Sequence, residues 1–257
     1  MNRLNQLFSN NKTPILSIYF TAGYPNLNST LDIAEALEKA GADFLEIGFP
    51  YSDPLADGPV IQKSSQKALD NGMTVQVLFD QLQDLRKRVS IPVLLMGYFN
   101  PVLQYGVEKF CNACAEAGID GVIIPDLPMY EYEGMYKDCF SGNNISNIFL
   151  VTPQTSDERI RRIDELSSGF IYLLSSSSTT GKNLAINEEA EKYFTRIKNM
   201  ELKNPSIIGF GISNQQSFDK AAEFTRGAIV GSAFVKFLDE PDAMNRFPEF
   251  ISSIRKD

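Results

Sequence analysis

Short apolar runs alternate with longer amphipathic ones along the chain. ILSIYF (15–20), DFLEIG (43–48), PVLLMG (92–97), GVIIP (121–125), NIFLV (147–151), GFIYLL (169–174), SIIGF (206–210) and GAIVG (227–231) read as buried strands, being short and rich in β-branched and aromatic residues. Between them STLDIAEALEKAG, IQKSSQKALDNG, VQVLFDQLQDLRKRV, VEKFCNACAEAG, YEYEGMYKDCF, DERIRRIDELS, NEEAEKYFTRIKNM and QQSFDKAAEF place apolar residues at helical spacing. With a helical region after the last strand, the pattern predicts eight strand–helix units.

Two junctions are near repeats: KAGADFLEIGFP, with Gly41, and EAGIDGVIIPDLP, with Gly118. Each reads as a helix closed by a left-handed glycine, with the next strand starting two residues on. No linker rich in Gly, Ser or Pro divides the 257 residues, and single α/β barrels reach about 250 residues. The expectation is one domain over 1–257, a (β/α)8 TIM barrel with an N-terminal helix and extra loop helices. An open doubly wound sheet is the alternative.

A net charge of −8 and a pI near 4.8 leave no broad positive field for nucleic acid or anionic lipid. The start MNRLNQLFSNNKTP lacks the apolar core of a signal peptide, and no run of about 18 apolar residues occurs. The chain is expected in the cytoplasm. Cys111, Cys114 and Cys139 are too few for a disulfide framework. The CxxC spacing of Cys111 and Cys114 falls in a helical pattern, and with no histidine to complete a zinc site it reads as packing. The lack of histidine also passes acid–base work to carboxylates, tyrosines, lysines or thiols.

That directs attention to the charge inside FLEIG. Strand alternation puts Leu45 and Ile47 on one face and Phe44 and Glu46 on the other. The aliphatic pair suits covering helices, so Glu46 is expected to point into the barrel mouth, where desolvation raises a carboxyl's pKa toward neutrality. The bland alternative is a glutamate paired with lysine or capping a loop. Asp53 and Asp57, in SDP and ADGP, suit turns that bond their own backbone, or with Glu46 a division of acid and base roles. Later, GFGIS (209–213), VGSA (230–233) and Gly181 place glycines where barrels bind phosphate through backbone N–H groups. The residues alone reach a barrel enzyme for a phosphorylated small molecule, using carboxylates without metal.

LEIGFPYSDPLADGPVIQ, with FTAGYPN (20–26), LLMGYFNPVLQYG (94–106), GVIIPDLP (121–128), GFGIS and VGSA, resembles the signature of the tryptophan synthase alpha subunit family, in family order and over nearly the whole chain. The resemblance implies retro-aldol cleavage of indole-3-glycerol phosphate to indole and glyceraldehyde 3-phosphate, with Glu46 and Asp57 catalytic and Tyr172 and Thr180 supporting. It implies phosphate binding at Gly181, Gly211, Gly231 and Ser232, and an indole pocket at Tyr19 and Leu95. It also implies no cofactor in this chain and a beta subunit partner that carries pyridoxal phosphate, in an alpha2-beta2 tetramer. The partner would meet the loop of Asp53 and Pro54 and the segments near Asn100, Pro101 and Asp126 to Pro128. One departure is SSSSTTG (175–181), where many members read approximately SRSGVTG; Ser178 in place of glycine narrows the backbone choices of a loop that closes over the site in the family. The chain has no tryptophan, which would let a tryptophan-making enzyme be synthesised when tryptophan is scarce. A barrel acting on another sugar or isoprenoid phosphate, or a non-catalytic activator, would be distinguished by whether indole is released.

Overall fold

A computed structural model describes residues 2–11, 13–174, 188–209 and 211–256. Its strands are β1 (Ile15–Thr21), β2 (Phe44–Gly48), β3 (Val93–Met96), β4 (Gly121–Ile123), β5 (Ser146–Ile148), β6 (Leu150–Val151), β7 (Ile171–Leu174), β8 (Ser206–Gly209) and β9 (Gly227–Val230). They form one parallel sheet in the order β5-β4-β3-β2-β1-β9-β8-β7-β6. The two ends of that order, β5 and β6, are consecutive in sequence and separated by Phe149 alone. The sheet therefore closes on itself as a TIM barrel.

The expected fifth strand is thus present as two segments. β5 pairs with β4 and β6 with β7. Phe149 marks the change of partner, and its carbonyl still accepts from the Tyr172 N–H at 2.9 Å. Its ring packs edge-on against Tyr132, centroids 5.2 Å apart.

Side chains divide by strand parity into two layers. Ile15, Phe44, Leu94, Ile123, Ile148, Tyr172, Ile207 and Ile229 cluster inside the barrel. Leu16, Ile18, Leu45, Ile47, Val93, Leu95 and Val122 pack outward with residues of the surrounding helices. At the strand starts, the helix Arg3–Asn10 inserts Leu4 and Phe8 into the inner cluster. Asn2 caps that helix and also donates to the Asp120 carbonyl at 2.8 Å. Asp120, almost fully buried, accepts from Arg86 at 2.7 Å and from the Val93 N–H at 3.0 Å.

The helices stop where the glycines predict. Gly41 (φ 105°) ends Thr30–Ala40 and Gly118 (φ 75°) ends Val107–Ala117, each turning its N–H back onto the last turn. β2 and β4 begin three residues later. Cys111 and Cys114 are buried in the second of these helices, with Cys139 half-buried, and all three are free thiols. Among the described residues no group of three or more His, Cys, Asp or Glu is placed to hold a metal ion, and no helix is long and apolar enough to cross a membrane.

Candidate active site

Glu46, the middle residue of β2, lies directly across one ladder rung from Tyr19 on β1 and Leu94 on β3. Its parity is that of Phe44, so it faces inward. It is fully buried, and neither carboxyl oxygen has a hydrogen-bond partner among the described residues. Burial among apolar and aromatic side chains penalises the anion and pushes the carboxyl up to about 8. At neutral pH it holds its proton.

Two tyrosines share this level. Tyr19 and Tyr172 are each pushed well above the usual phenol range, first by burial, with the Glu46 and Asp57 carboxyls adding to the effect. Both therefore stay neutral. Each ring leans over a neighbouring strand at a glycine: a Cβ at Gly48 would collide with the Tyr19 hydroxyl, and one at Gly209 with that of Tyr172.

Asp57 arrives from the loop after β2. Its N–H donates to the Pro54 carbonyl at 3.1 Å, and Gly58 and Pro59 then open the helix Pro59–Asp70, where proline at the first position has no N–H to leave unpaired. The Tyr98 hydroxyl donates to Asp57 Oδ2 at 3.3 Å and accepts from the Ala56 N–H at 2.9 Å. Burial raises the Asp57 carboxyl to about 6, opposed by the Tyr98 hydrogen bond, which favours the anion. Above pH 6 Asp57 is mainly a carboxylate. Two carboxyls near one cavity therefore occupy opposite protonation states at pH 7.

The mouth holds two adjoining cavities. One, of about 490 Å³, is lined by Tyr19, Asp57, Met96, Tyr172, Gly211, Gly231 and Ser232. The other, of about 540 Å³, shares Tyr19, Asp57 and Met96 and continues along Phe49, Tyr51, Leu55, Tyr98, Leu150 and Leu174. Gly211 follows β8 at φ 78°, a left-handed conformation that suits glycine. Gly231 and Ser232 open the short helix Ser232–Phe237.

A family model described as "Tryptophan synthase alpha chain" matches residues 4–250. This chain belongs to the tryptophan synthase alpha chain family. A tryptophan synthase alpha chain from Flavobacterium johnsoniae is 58% identical over 255 residues, covering 99% of this chain and 100% of the relative. Among solved structures, a tryptophan synthase subunit alpha from Legionella pneumophila superposes with a TM-score of 0.89 at 33% identity, covering 100% of this chain and 98% of that one. A chain of the tryptophan synthase complex from Pyrococcus furiosus gives a TM-score of 0.84 at 33% identity, over 93% of this chain and 97% of that one. Tryptophan synthase alpha chains are lyases of tryptophan biosynthesis that work with a beta subunit, and the chain is an enzyme of that class.

Against that family expectation the structure brings Tyr19, Asp57, Tyr172, Gly211, Gly231 and Ser232 onto one cavity, with Glu46 enclosed across the rung from Tyr19. Leu95 is a correction. It packs in the outer layer with residues of the helices, one step out of phase, and Met96 lines both cavities in its place. The reason is the pleat: Leu94 and Met96 share the inward face of β3, so Leu95 points away. Asp53 and Pro54 lie on the loop that carries Asp57, Asp53 being exposed. Thr180 and Gly181 lie outside the described residues. Tyr98 is the contact that reading the sequence missed; it stands inside the quoted LLMGYFNPVLQYG stretch, but nothing in its spacing links it to Asp57.

Proposed function

We propose that this chain, acting as one catalytic domain over residues 1–257 in the cytoplasm, cleaves indole-3-glycerol phosphate to indole and glyceraldehyde 3-phosphate. The observation that carries the mechanism is the split between the two carboxyls, Glu46 held protonated by burial and Asp57 held ionised beside Tyr98.

Breaking the bond to indole C3 requires a proton on that carbon. Glu46 supplies it as general acid, and because its carboxyl is fully enclosed, a side-chain rotation must deliver it into the cavity. Positive charge then develops on the ring nitrogen, whose N–H the Asp57 carboxylate accepts. The C3 to side-chain bond breaks as the adjacent hydroxyl gives up its proton to the Glu46 carboxylate and becomes the aldehyde, which restores the acid and the aromatic ring. Every proton is accounted for by these two groups, so the scheme uses no cofactor.

In this reading Tyr19, Met96 and Tyr172 flank the flat ring, Gly211, Gly231 and Ser232 with Gly181 take the phosphate, and Thr180 bonds Asp57. Pyridoxal phosphate belongs to the partner beta subunit, met in an alpha2-beta2 tetramer through the loop of Asp53 and Pro54. Indole release from indole-3-glycerol phosphate, assayed with and without a beta subunit, tests the reading. Glu46→Gln and Asp57→Asn are each expected to lower kcat by about 100-fold or more while a phosphate ligand still binds. No indole from the unaltered chain with a competent beta subunit would overturn it.

A further inference from the structure

The first cavity continues past the glycine loops. From Gly231 and Ser232 it runs along the helix Ser232–Phe237 to Lys236, then to Glu240, Arg246 and Glu249. Of the two described cations on this wall, Arg246 is held by Glu240 at 2.9 Å and Glu249 at 3.0 Å. Lys236 is exposed and has no ion pair or hydrogen bond through its amine to a described residue. Its charge is left for something else.

Position supplies a target. Lys236 follows Ser232 by four residues, so the two share one helix face a turn apart. Helical Cα–Cβ bonds tilt toward the N-terminus, which sends the long lysine stem back over the turn that carries Ser232. A dianionic phosphate monoester approaching a chain of net charge −8 meets repulsion from the molecule as a whole. A local cation at the cavity edge offsets that repulsion where the phosphate must enter.

We infer that Lys236 is a positioning residue for the phosphorylated substrate, its ammonium pairing with the phosphate at the Gly211, Gly231 and Ser232 corner and drawing the anion into the cavity. This rests on the phosphate site proposed above. Calorimetric binding of glycerol 3-phosphate to the chain and to Lys236→Met and Lys236→Arg, at low and high salt, reads the effect without requiring cleavage. Lys236→Met is expected to bind about tenfold more weakly, with a shallower salt dependence, and Lys236→Arg to recover most of the affinity. With indole-3-glycerol phosphate, KM should rise by a similar factor while kcat stays within about twofold. Unchanged thermal unfolding would show that the exposed substitution spares the fold. Equal affinity of Lys236→Met and the unaltered chain overturns the inference, as does a fall in kcat with KM unchanged. Glycerol 3-phosphate binding that depends on Lys236, without indole release, would sink the lyase reading and leave Lys236 standing. No binding to the unaltered chain would remove both.

Discussion

At the scale of single residues, the site works by giving two similar acids different surroundings. Glu46 has no hydrogen-bond partner among the described residues to stabilise its anion and sits at about 8, whereas Asp57, half-buried and bonded by Tyr98, sits at about 6. The proposed reaction needs the first protonated and the second ionised. Activity should therefore fall below pH 6 as Asp57 gains a proton, fall above pH 8 as Glu46 loses one, and peak near pH 7 in kcat/KM. Tyr98→Phe removes the hydrogen bond that favours the Asp57 anion. Its acid limb is expected to move up by about one pH unit while the basic limb stays, as measured by kcat/KM profiles of the two proteins. An unmoved acid limb would mean that Tyr98 does not control Asp57.

At the scale of elements, strands end in glycine where a neighbour's ring must cross them. Tyr172 leans over Gly209 and Tyr19 over Gly48, so the floor of the cavity is two aromatic rings laid on bare backbone. Gly209→Ala is expected to cost about 1–3 kcal/mol in denaturant unfolding and to lower indole release by displacing Tyr172; a variant as active and stable as the parent would refute that packing. This level was largely legible in the sequence. Gly41 and Gly118 announced their helix ends, and the polar break in FLEIG fixed which face of β2 turned inward. PVLLMG offered no such break. Strands buried on both faces read as continuous apolar runs, so the inward phase of β3 had no signature to set against the resemblance, which implied Leu95 where Met96 lines the cavity. The division of the fifth strand at Phe149 was equally silent, because it depends on which neighbours each half finds. The Tyr98–Asp57 bond joins residues 41 apart in sequence, a pairing created by the side-by-side parallel packing of β2 and β3.

At the scale of the whole molecule, the described residues leave two adjoining cavities at the mouth. The large apolar side chains exposed in the segments after the strands include Leu55 at 87% and Tyr130 at 86%, on the loop after β2 and the helix Met129–Glu131 after β4. Exposed apolar side chains of this size fit an interaction surface. Leu55→Ser and Tyr130→Ser together are expected to weaken assembly with a beta subunit by about tenfold or more, measured by sedimentation or calorimetry, with the unfolding temperature of the free chain unchanged. Assembly at full strength would place the contact elsewhere.

The opposite end is stoppered. Leu4 and Phe8 fill the barrel base, Phe8 against Phe170 with ring centroids 5.7 Å apart, and Asn2 ties the helix to Asp120. The barrel is thus a cul-de-sac and not a pipe. In the proposed reaction substrate and both products pass through the mouth, so a partner seated there would govern traffic in both directions.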